Sequence, residues 1–305
     1  MDFMSDMPRV PGWAVALAER ARQNRLIETD YLWKYPERLF HKRDMQPDPW
    51  QMECLHSRQN LFLCASRQIG KSELTASVVS KAILCEAPCL ILVLSPTDRQ
   101  SIELLKTKIM PFLEPWLNRP FRMGDSQEKA PAITITKNNE FSKEFSNGSR
   151  IVALPGKNEG NIRSYSSVGL LVIDEASRVL DALYDAVTPM LAVSHGRKIV
   201  LSTPFGKRGW FYNQWIKGKD WKKVQITADQ CPRLTKEFLD NERKAKGERV
   251  YKQEFCCSFE DAVGQMFPEW AIAQSVRDDI DAFDLFDEST WPKPVIISAN
   301  DRVDV

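Results

Sequence analysis

The sequence lacks any long uninterrupted apolar stretch. No run approaches the roughly 18 apolar residues that a membrane-spanning helix needs. The first ten residues, MDFMSDMPRV, are acidic at their start and do not have the basic-then-apolar order of a signal peptide. These two absences predict a chain that has no membrane partner.

Histidine and paired cysteine are also scarce. The 305 residues include three histidines and seven cysteines, and no two cysteines form a C-x-x-C element. This pattern argues against a disulfide framework and against a structural zinc site, and it favours a reducing cytoplasm.

An excess of charge of one sign is missing as well. The chain has 42 Lys and Arg against 41 Asp and Glu, for a formal net charge of +1. Affinity for nucleic acid would therefore have to come from local basic patches. The best patches are KRGW at residues 207–210 and KGKDWKK at 217–223, although a solvated charged surface is the simpler interpretation of either one alone.

What the sequence does contain is an alternation of short apolar runs with segments of helical pattern. The runs NLFLCA, CLILVLS, VGLLVIDEA and RKIVLSTP are separated in this way, with three strand-like pieces around AITIT, KEFS and RIVALP. Such an order is typical of a parallel sheet buried on both faces, so the sequence predicts an α/β fold. We expect an N-terminal helical extension at residues 1–45, a core at 46–260, and a linker at 261–305.

The segment ASRQIGKS, residues 65–72, joins the first apolar run to a predicted helix from Lys71 to about Cys85. It matches the phosphate-binding loop G-x-x-x-x-G-K-[ST] except at its first position, where Ala65 replaces glycine. A tight loop that opens a helix offers unpaired N–H groups and the positive end of the helix dipole to an anion. On the loop alone, a solvated strand-to-helix turn stays open as an alternative.

The side chains of this loop suit a bound nucleotide. Lys71 would reach the β- and γ-phosphates, the Ser72 hydroxyl would bind Mg²⁺, and Arg67 would add a second cation. The predicted nucleotide-binding residues of the loop are Ser66, Arg67, Gln68, Gly70, Lys71 and Ser72.

A second motif, VGLLVIDEAS, ends an apolar run about a hundred residues later. In phosphate-loop enzymes an aspartate at the tip of a neighbouring strand holds Mg²⁺, and the next carboxylate is the general base for the attacking water. We therefore expect Asp174 to bind the metal and Glu175 to be catalytic. The alternative is a strand whose acidic end caps the following helix.

Two shorter motifs fit the same site. RKIVLSTPFG is read as a strand that ends at Ser202-Thr203-Pro204. The hydroxyls of Ser202 and Thr203 would sense the γ-phosphate, although a polar turn broken by proline is an equal alternative. DPWQ offers Gln51 as an amide matched to adenine and Trp50 as a stacking partner.

Together, SRQIGKS, LLVIDEAS, LSTPFGKRGWFYNQW and DPWQ resemble the ATPase domain of the large terminase subunit of tailed bacteriophages, over roughly residues 45–260. The resemblance implies a parallel-sheet P-loop NTPase core of the additional-strand, helicase-like ATPase class. It implies a motor that uses ATP and Mg²⁺ to package double-stranded DNA in the cytoplasm of the bacterial host. It further implies a phage portal protein and a small terminase subunit as partners, and a homo-oligomeric ring as the active form.

The resemblance also implies roles for single residues. It puts Gln51 in the adenine motif and Ser202-Thr203 in the coupling motif. An arginine before the acidic strand, here Arg163 in EGNIRSYSSVGLL, corresponds to an arginine finger that acts on a nucleotide of the same or a neighbouring subunit. Ser164 stands where the family often has glycine, and a plain salt bridge stays open for Arg163. The implied catalytic residues are Glu175, Lys71, Arg67 and Arg163.

Large terminases normally carry a second, nuclease domain, and here only the start of one is expected. A two-metal nuclease needs several converging carboxylates, and Asp301 and Asp304 alone do not supply them, so no nuclease activity is expected from this chain. Two alternatives to a packaging motor remain. One is a helicase-like nucleic-acid-dependent ATPase. Such enzymes usually have a second motor domain, and residues 261–305 are too short to form one. The other is a truncated, non-catalytic terminase assembly module. The intact Lys71 argues against a degenerate ATP site, but it does not argue against truncation.

Overall fold

A central sheet of eight strands organises the protein in the computed structural model, which describes residues 32–119, 121–122, 129–130, 132–154 and 165–260. Two further short strands pair with each other. The described strands are β1 (Leu61–Ala65), β2 (Leu90–Leu94), β3 (Phe121–Arg122), β4 (Lys129–Ala130), β5 (Ile135–Asn138), β6 (Ser142–Phe145), β7 (Arg150–Leu154), β8 (Leu170–Asp174), β9 (Arg197–Ser202) and β10 (Lys222–Ile226).

Helices connect these strands. The described α-helices are α1 (Arg38–His41), α2 (Pro49–His56), α3 (Lys71–Cys85), α4 (Asp98–Glu103), α5 (Met110–Leu113), α6 (Asp181–Val187), α7 (Gly209–Lys217), α8 (Lys236–Lys246) and α9 (Glu248–Phe255). In the described part of the chain no helix is both long enough and apolar enough to cross a bilayer. Of the predicted N-terminal extension, residues 1–31 lie outside the described residues, as do residues 261–305.

The strand order, β10-β1-β9-β8-β2-β7-β6-β5, confirms the predicted α/β fold with a P-loop NTPase core. The first six strands in this order are parallel, and β6 and β5 continue the sheet antiparallel to their neighbours. β9 lies between the loop-bearing strand β1 and the acidic strand β8. Because the carboxyl ends of parallel strands meet at one edge, Ala65, Asp174 and Ser202 end side by side there.

Apolar layers cover both faces of the sheet. On one face α3 is buried almost throughout, from Leu74 to Leu84, beneath α2 and α5. On the other face Phe62 of β1 is fully buried against the aromatic rings of Phe211, Trp215 and Trp221. Burial on both faces explains why the parallel strands appear in the sequence as continuous apolar runs.

The structure differs from the sequence prediction in two places. The segment of helical pattern that follows CLILVLS, at about residues 98–116, is not one continuous α-helix, because a π-helix at Leu104–Ile109 interrupts it and a 3₁₀ turn at Glu114–Trp116 ends it. Pro111 explains the interruption, because it has no N–H to donate to the preceding turn. The second difference is β10, since the basic segment KGKDWKK runs into an edge strand whose Lys222 pairs with Glu53 at 2.8 Å.

Candidate nucleotide-binding site

The loop between β1 and α3 has the backbone that its glycine predicts. Gly70 has a φ of +96°, and a Cβ placed on it would lie 2.8 Å from Nε2 of Gln51. A side chain there would be strained by the backbone and would also collide with its neighbour. At the other end of the loop, Ala65 still belongs to β1 and is not among the residues with positive φ, so alanine in place of the usual glycine causes no backbone strain.

Lys71 is held inside the loop by three oxygen atoms. Its Nζ donates to the carbonyl oxygens of Ala65 (3.2 Å) and Ser66 (2.6 Å) and to the Thr203 hydroxyl (3.1 Å). Burial lowers the pKa of Lys71, and the nearby carboxylates of Glu175 and Asp174 oppose that shift. The ammonium group therefore lies between the loop and the acidic end of β8, as the motif predicts.

The two carboxylates of the acidic motif have different environments. Burial, with the charge of Glu175 beside it, raises the pKa of Asp174 to about 6, while Lys71 acts in the opposite direction. Glu175 has a left-handed backbone (φ +50°), and its side chain is 40% exposed. The turn thus directs the second carboxylate out of the sheet, where Arg178 Nε lies 3.9 Å from its Oε2.

The end of β9 joins the loop to the acidic strand. The Thr203 hydroxyl donates to the Ala65 carbonyl (3.0 Å), as well as accepting from Lys71. Ser202 is fully buried, and its hydroxyl lies 2.8 Å from that of Ser177. Of the predicted coupling pair, Thr203 is thus the member that contacts the phosphate-loop lysine. Its role as a sensor of the γ-phosphate stays a prediction.

The predicted adenine motif packs against the loop. The side-chain amide of Gln51 accepts from the Asp48 N–H (2.8 Å) and donates to the Gly70 carbonyl (3.0 Å). Both ends of the amide are therefore engaged within the protein. Trp50 is 8% exposed and belongs to the hydrophobic core. Its stacking on a base stays a prediction that this burial does not favour.

Several residues at this site carry no recognisable sequence signal. Glu254, near the end of α9, accepts the Arg67 N–H through its backbone (3.1 Å), and its carboxylate lies 3.6 Å from Arg67 Nε. Arg178 stacks over the Phe205 ring at 4.2 Å. A small recess brings together residues from four elements of the fold. It is lined by Arg67, Glu175, Arg178, Thr203, Pro204, Gln253 and Glu254. α9 contributes to the site because of the tertiary fold, and no motif marks it.

Metal binding would use a minimal protein ligand set. Ser72 lies in the first turn of α3 and Asp174 ends β8, so both lie at the same edge of the sheet. Across the described residues no group of three or more His, Cys, Asp or Glu side chains could hold a metal ion. Phosphate and water would supply the other ligands, as is usual for Mg²⁺. Arg163, the predicted arginine finger, lies outside the described residues.

Comparison with solved structures identifies relatives of the same fold. The ATPase domain of the large terminase of Thermus phage P74-26 superposes with a TM-score of 0.56 at 17% identity, covering 72% of this chain and 97% of that one. The large terminase of the thermophilic bacteriophage D6E gives 0.54 at 15% identity, over 73% of this chain and 57% of that one. Identities this low establish the fold alone.

Sequence comparison settles the family. No curated protein matches the chain. Residues 62–274, which include the phosphate loop and the acidic motif, match the family model described as terminase large subunit, T4likevirus-type, N-terminal. This match covers more than half of the chain and confirms the resemblance carried by the motifs. The chain belongs to the terminase large subunit family, and its matched residues correspond to the N-terminal part of the T4likevirus type.

Proposed function

We propose that the chain is an ATPase that drives double-stranded DNA through a phage packaging motor. The observation that carries the proposal is the convergence of Lys71, Thr203 and the Asp174-Glu175 pair at one edge of the sheet. That edge supplies a phosphate loop, a partly buried acid and an outward carboxylate, the set that phosphoryl transfer requires. The D6E large terminase, a relative of the same fold, has been solved with ADP.

Each residue of the set has a distinct role in this proposal. Lys71 and the loop N–H groups bind the β- and γ-phosphates, and Ser72 with Asp174 holds Mg²⁺. The ion supplies positive charge that neutralises phosphate oxygens when it is bound. Glu175 orients the attacking water and takes its proton. Its side chain is exposed beside Arg178, and this position suits that role.

The proposal extends to the predicted site residues and partners. Ser66, Arg67, Gln68 and Gly70 complete the phosphate loop. Arg163 is the arginine finger, and its action on a neighbouring site would account for a homo-oligomeric ring. Family membership supports double-stranded DNA, a phage portal protein and a small terminase subunit as partners, and the host cytoplasm as the place of action.

The same proposal assigns the domains. Residues 46–260 form the motor domain, which follows the helical extension at 1–45. Residues 261–305 form a linker and the start of a nuclease-like domain, and we propose no nuclease activity for the described residues. A packaging ATPase differs from a non-catalytic assembly module in one measurable property, the turnover of ATP.

The test is steady-state ATP hydrolysis with Mg²⁺, with and without duplex DNA. We expect Glu175→Gln to lower the rate by at least about a hundredfold and to keep ATP binding, because it removes only the general base. Lys71→Ala should abolish binding as well. Glu140→Gln, which changes an exposed acid paired with Lys106, is the matched control and should leave the rate unchanged. A normal rate in Glu175→Gln would refute the catalytic assignment, and ATP binding without any wild-type turnover would favour the assembly module.

A further inference from the structure

Two side chains donate hydrogen bonds to neighbouring carbonyl groups on one side of the phosphate loop. Gln51 Nε2 donates to the Gly70 carbonyl at 3.0 Å, and Arg233 Nη2 donates to the Ile69 carbonyl at 3.1 Å. A Cβ built on Gly70 would lie 2.8 Å from the Gln51 nitrogen and 3.7 Å from the Arg233 nitrogen. Both side chains therefore close over the same face of Gly70.

These hydrogen bonds help to set where the loop N–H groups point, together with the first hydrogen bond of α3, in which the Gly70 carbonyl accepts the Leu74 N–H at 3.1 Å. In a trans peptide the C=O and the N–H point in opposite directions. Because the Ile69 carbonyl faces Arg233, the N–H of Gly70 faces away from it, and the Lys71 N–H likewise faces away from Gln51. The first N–H groups of a helix have no partner within the helix, and they form its anion-binding end.

Arg233 is itself held in place. Its two terminal nitrogens bind the two oxygens of Asp48 at 2.8 and 2.7 Å, a bidentate pair in which the Asp48 side chain is only 12% exposed. Asp48 in turn donates its N–H to Gln51 at 2.8 Å. The result is a closed ring of contacts that runs from Ile69 through Arg233, Asp48 and Gln51 back to Gly70. Bidentate geometry fixes direction as well as distance.

We propose that Arg233 is a positioning residue for the triphosphate group, which turns the N–H groups of Gly70 and Lys71 toward the phosphates without touching the nucleotide. The role rests on the proposed ATPase function and deepens it. Arg233 lies 185 residues from Asp48 in sequence, just before α8. The segment that carries α8 and α9 thus has a direct effect on the shape of the phosphate loop.

Binding of two probes, Mg²⁺-ATP and Mg²⁺ with inorganic triphosphate, tests this role. A loop-positioning residue acts on the phosphates, so Arg233→Gln should weaken both probes by a similar factor, about tenfold. Arg233→Lys and Asp48→Asn should each give a smaller loss, because each keeps part of the contact ring. The matched control is Arg243→Gln, which removes a bidentate pair with Glu248 on the same segment and should leave both affinities unchanged.

The outcomes separate the competing roles. Weaker ATP binding with unchanged triphosphate binding would overturn the proposal and make Arg233 a contact of the nucleoside. Unchanged binding of both probes in Arg233→Gln, Arg233→Lys and Asp48→Asn would overturn it as well, as would a melting temperature lowered without any change in affinity. A wild-type protein that binds neither probe would overturn the ATPase function itself, and this role with it.

Discussion

At the scale of single residues, Thr203 is the contact between the end of β9 and the phosphate-loop lysine. Its hydroxyl accepts from Lys71 and donates to Ala65. Thr203→Val keeps the shape and removes both hydrogen bonds, so Lys71 loses one of its three oxygen partners. We expect ATP hydrolysis to fall on the order of tenfold through poorer positioning, and stability to fall by about 1 kcal/mol. Hydrolysis rates and urea unfolding measure the two effects.

A conservative change supplies the control for Thr203. Thr203→Ser keeps the hydroxyl and should hydrolyse ATP at close to the wild-type rate. If the valine variant matched the wild type, or if the serine variant lost as much activity as the valine variant, the hydroxyl would not be what positions Lys71.

The sequence predicts this site at residue level only where a residue belongs to a local motif. The loop from Ser66 to Ser72 and the acidic pair are contiguous segments, so spacing alone identifies them. Arg233, Glu254 and Arg178 reach the site through tertiary packing, and no spacing rule connects them to the loop. Trp50 shows the limit of such motifs, because it lies next to one and packs in the core, while its stacking on a base stays a prediction.

At the scale of elements, a buried lysine of α3 forms a hydrogen bond to the end of α2. Lys81 is 2% exposed, donates to the Leu55 carbonyl, and lies 3.4 Å from the centre of the Trp33 ring. Burial lowers the pKa of Lys81 from 10.5 to about 8. Between these values the unfolded chain binds more protons than the folded one, so the Lys81 contribution to stability rises with pH.

This shift predicts a pH dependence that one substitution isolates. The unfolding free energy of the wild type, relative to Lys81→Met, should increase by about 3 kcal/mol as the pH rises from 8 to 10.5. Urea unfolding of both proteins at several pH values measures the difference. Lys106→Met, at a lysine that is 47% exposed, is the control and should show almost no trend. A flat difference for Lys81→Met would mean that this amine is hydrated in the folded protein.

Whether an element was predictable depended on its burial. Parallel strands buried on both faces are continuous apolar runs, and α3 begins and ends where the sequence predicts. β10 is an edge strand with lysines at its start and partly exposed residues along it, so its sequence suggests a basic surface instead. α8 and α9 are mostly exposed and strongly charged, and their tertiary contacts, which no periodicity encodes, bring them to the loop.

At the scale of the whole molecule, the described arginines of the site are already beside acids of the same subunit. Arg67 lies 3.6 Å from Glu254, and Arg178 lies 3.9 Å from Glu175. A transition state with more negative charge on the phosphates would gain from a further arginine that has no such partner in the site. We predict that Arg163 supplies it from a neighbouring subunit, so the hydrolysis rate per subunit should rise with protein concentration.

Mixing two inactive variants tests this prediction directly. Glu175→Gln subunits lack the general base and keep Arg163, whereas Arg163→Ala subunits keep an intact base. If the arginine acts between subunits, random assembly of equal amounts leaves about a quarter of the sites with both groups, and activity should reappear to about that extent. The control mixes Glu175→Gln with Lys71→Ala. Each of these residues acts in the site of its own subunit, and the interface contributes only Arg163, so neither variant can restore the activity of the other. If the first mixture were no more active than either variant alone, the arginine would be assigned to the site of its own subunit.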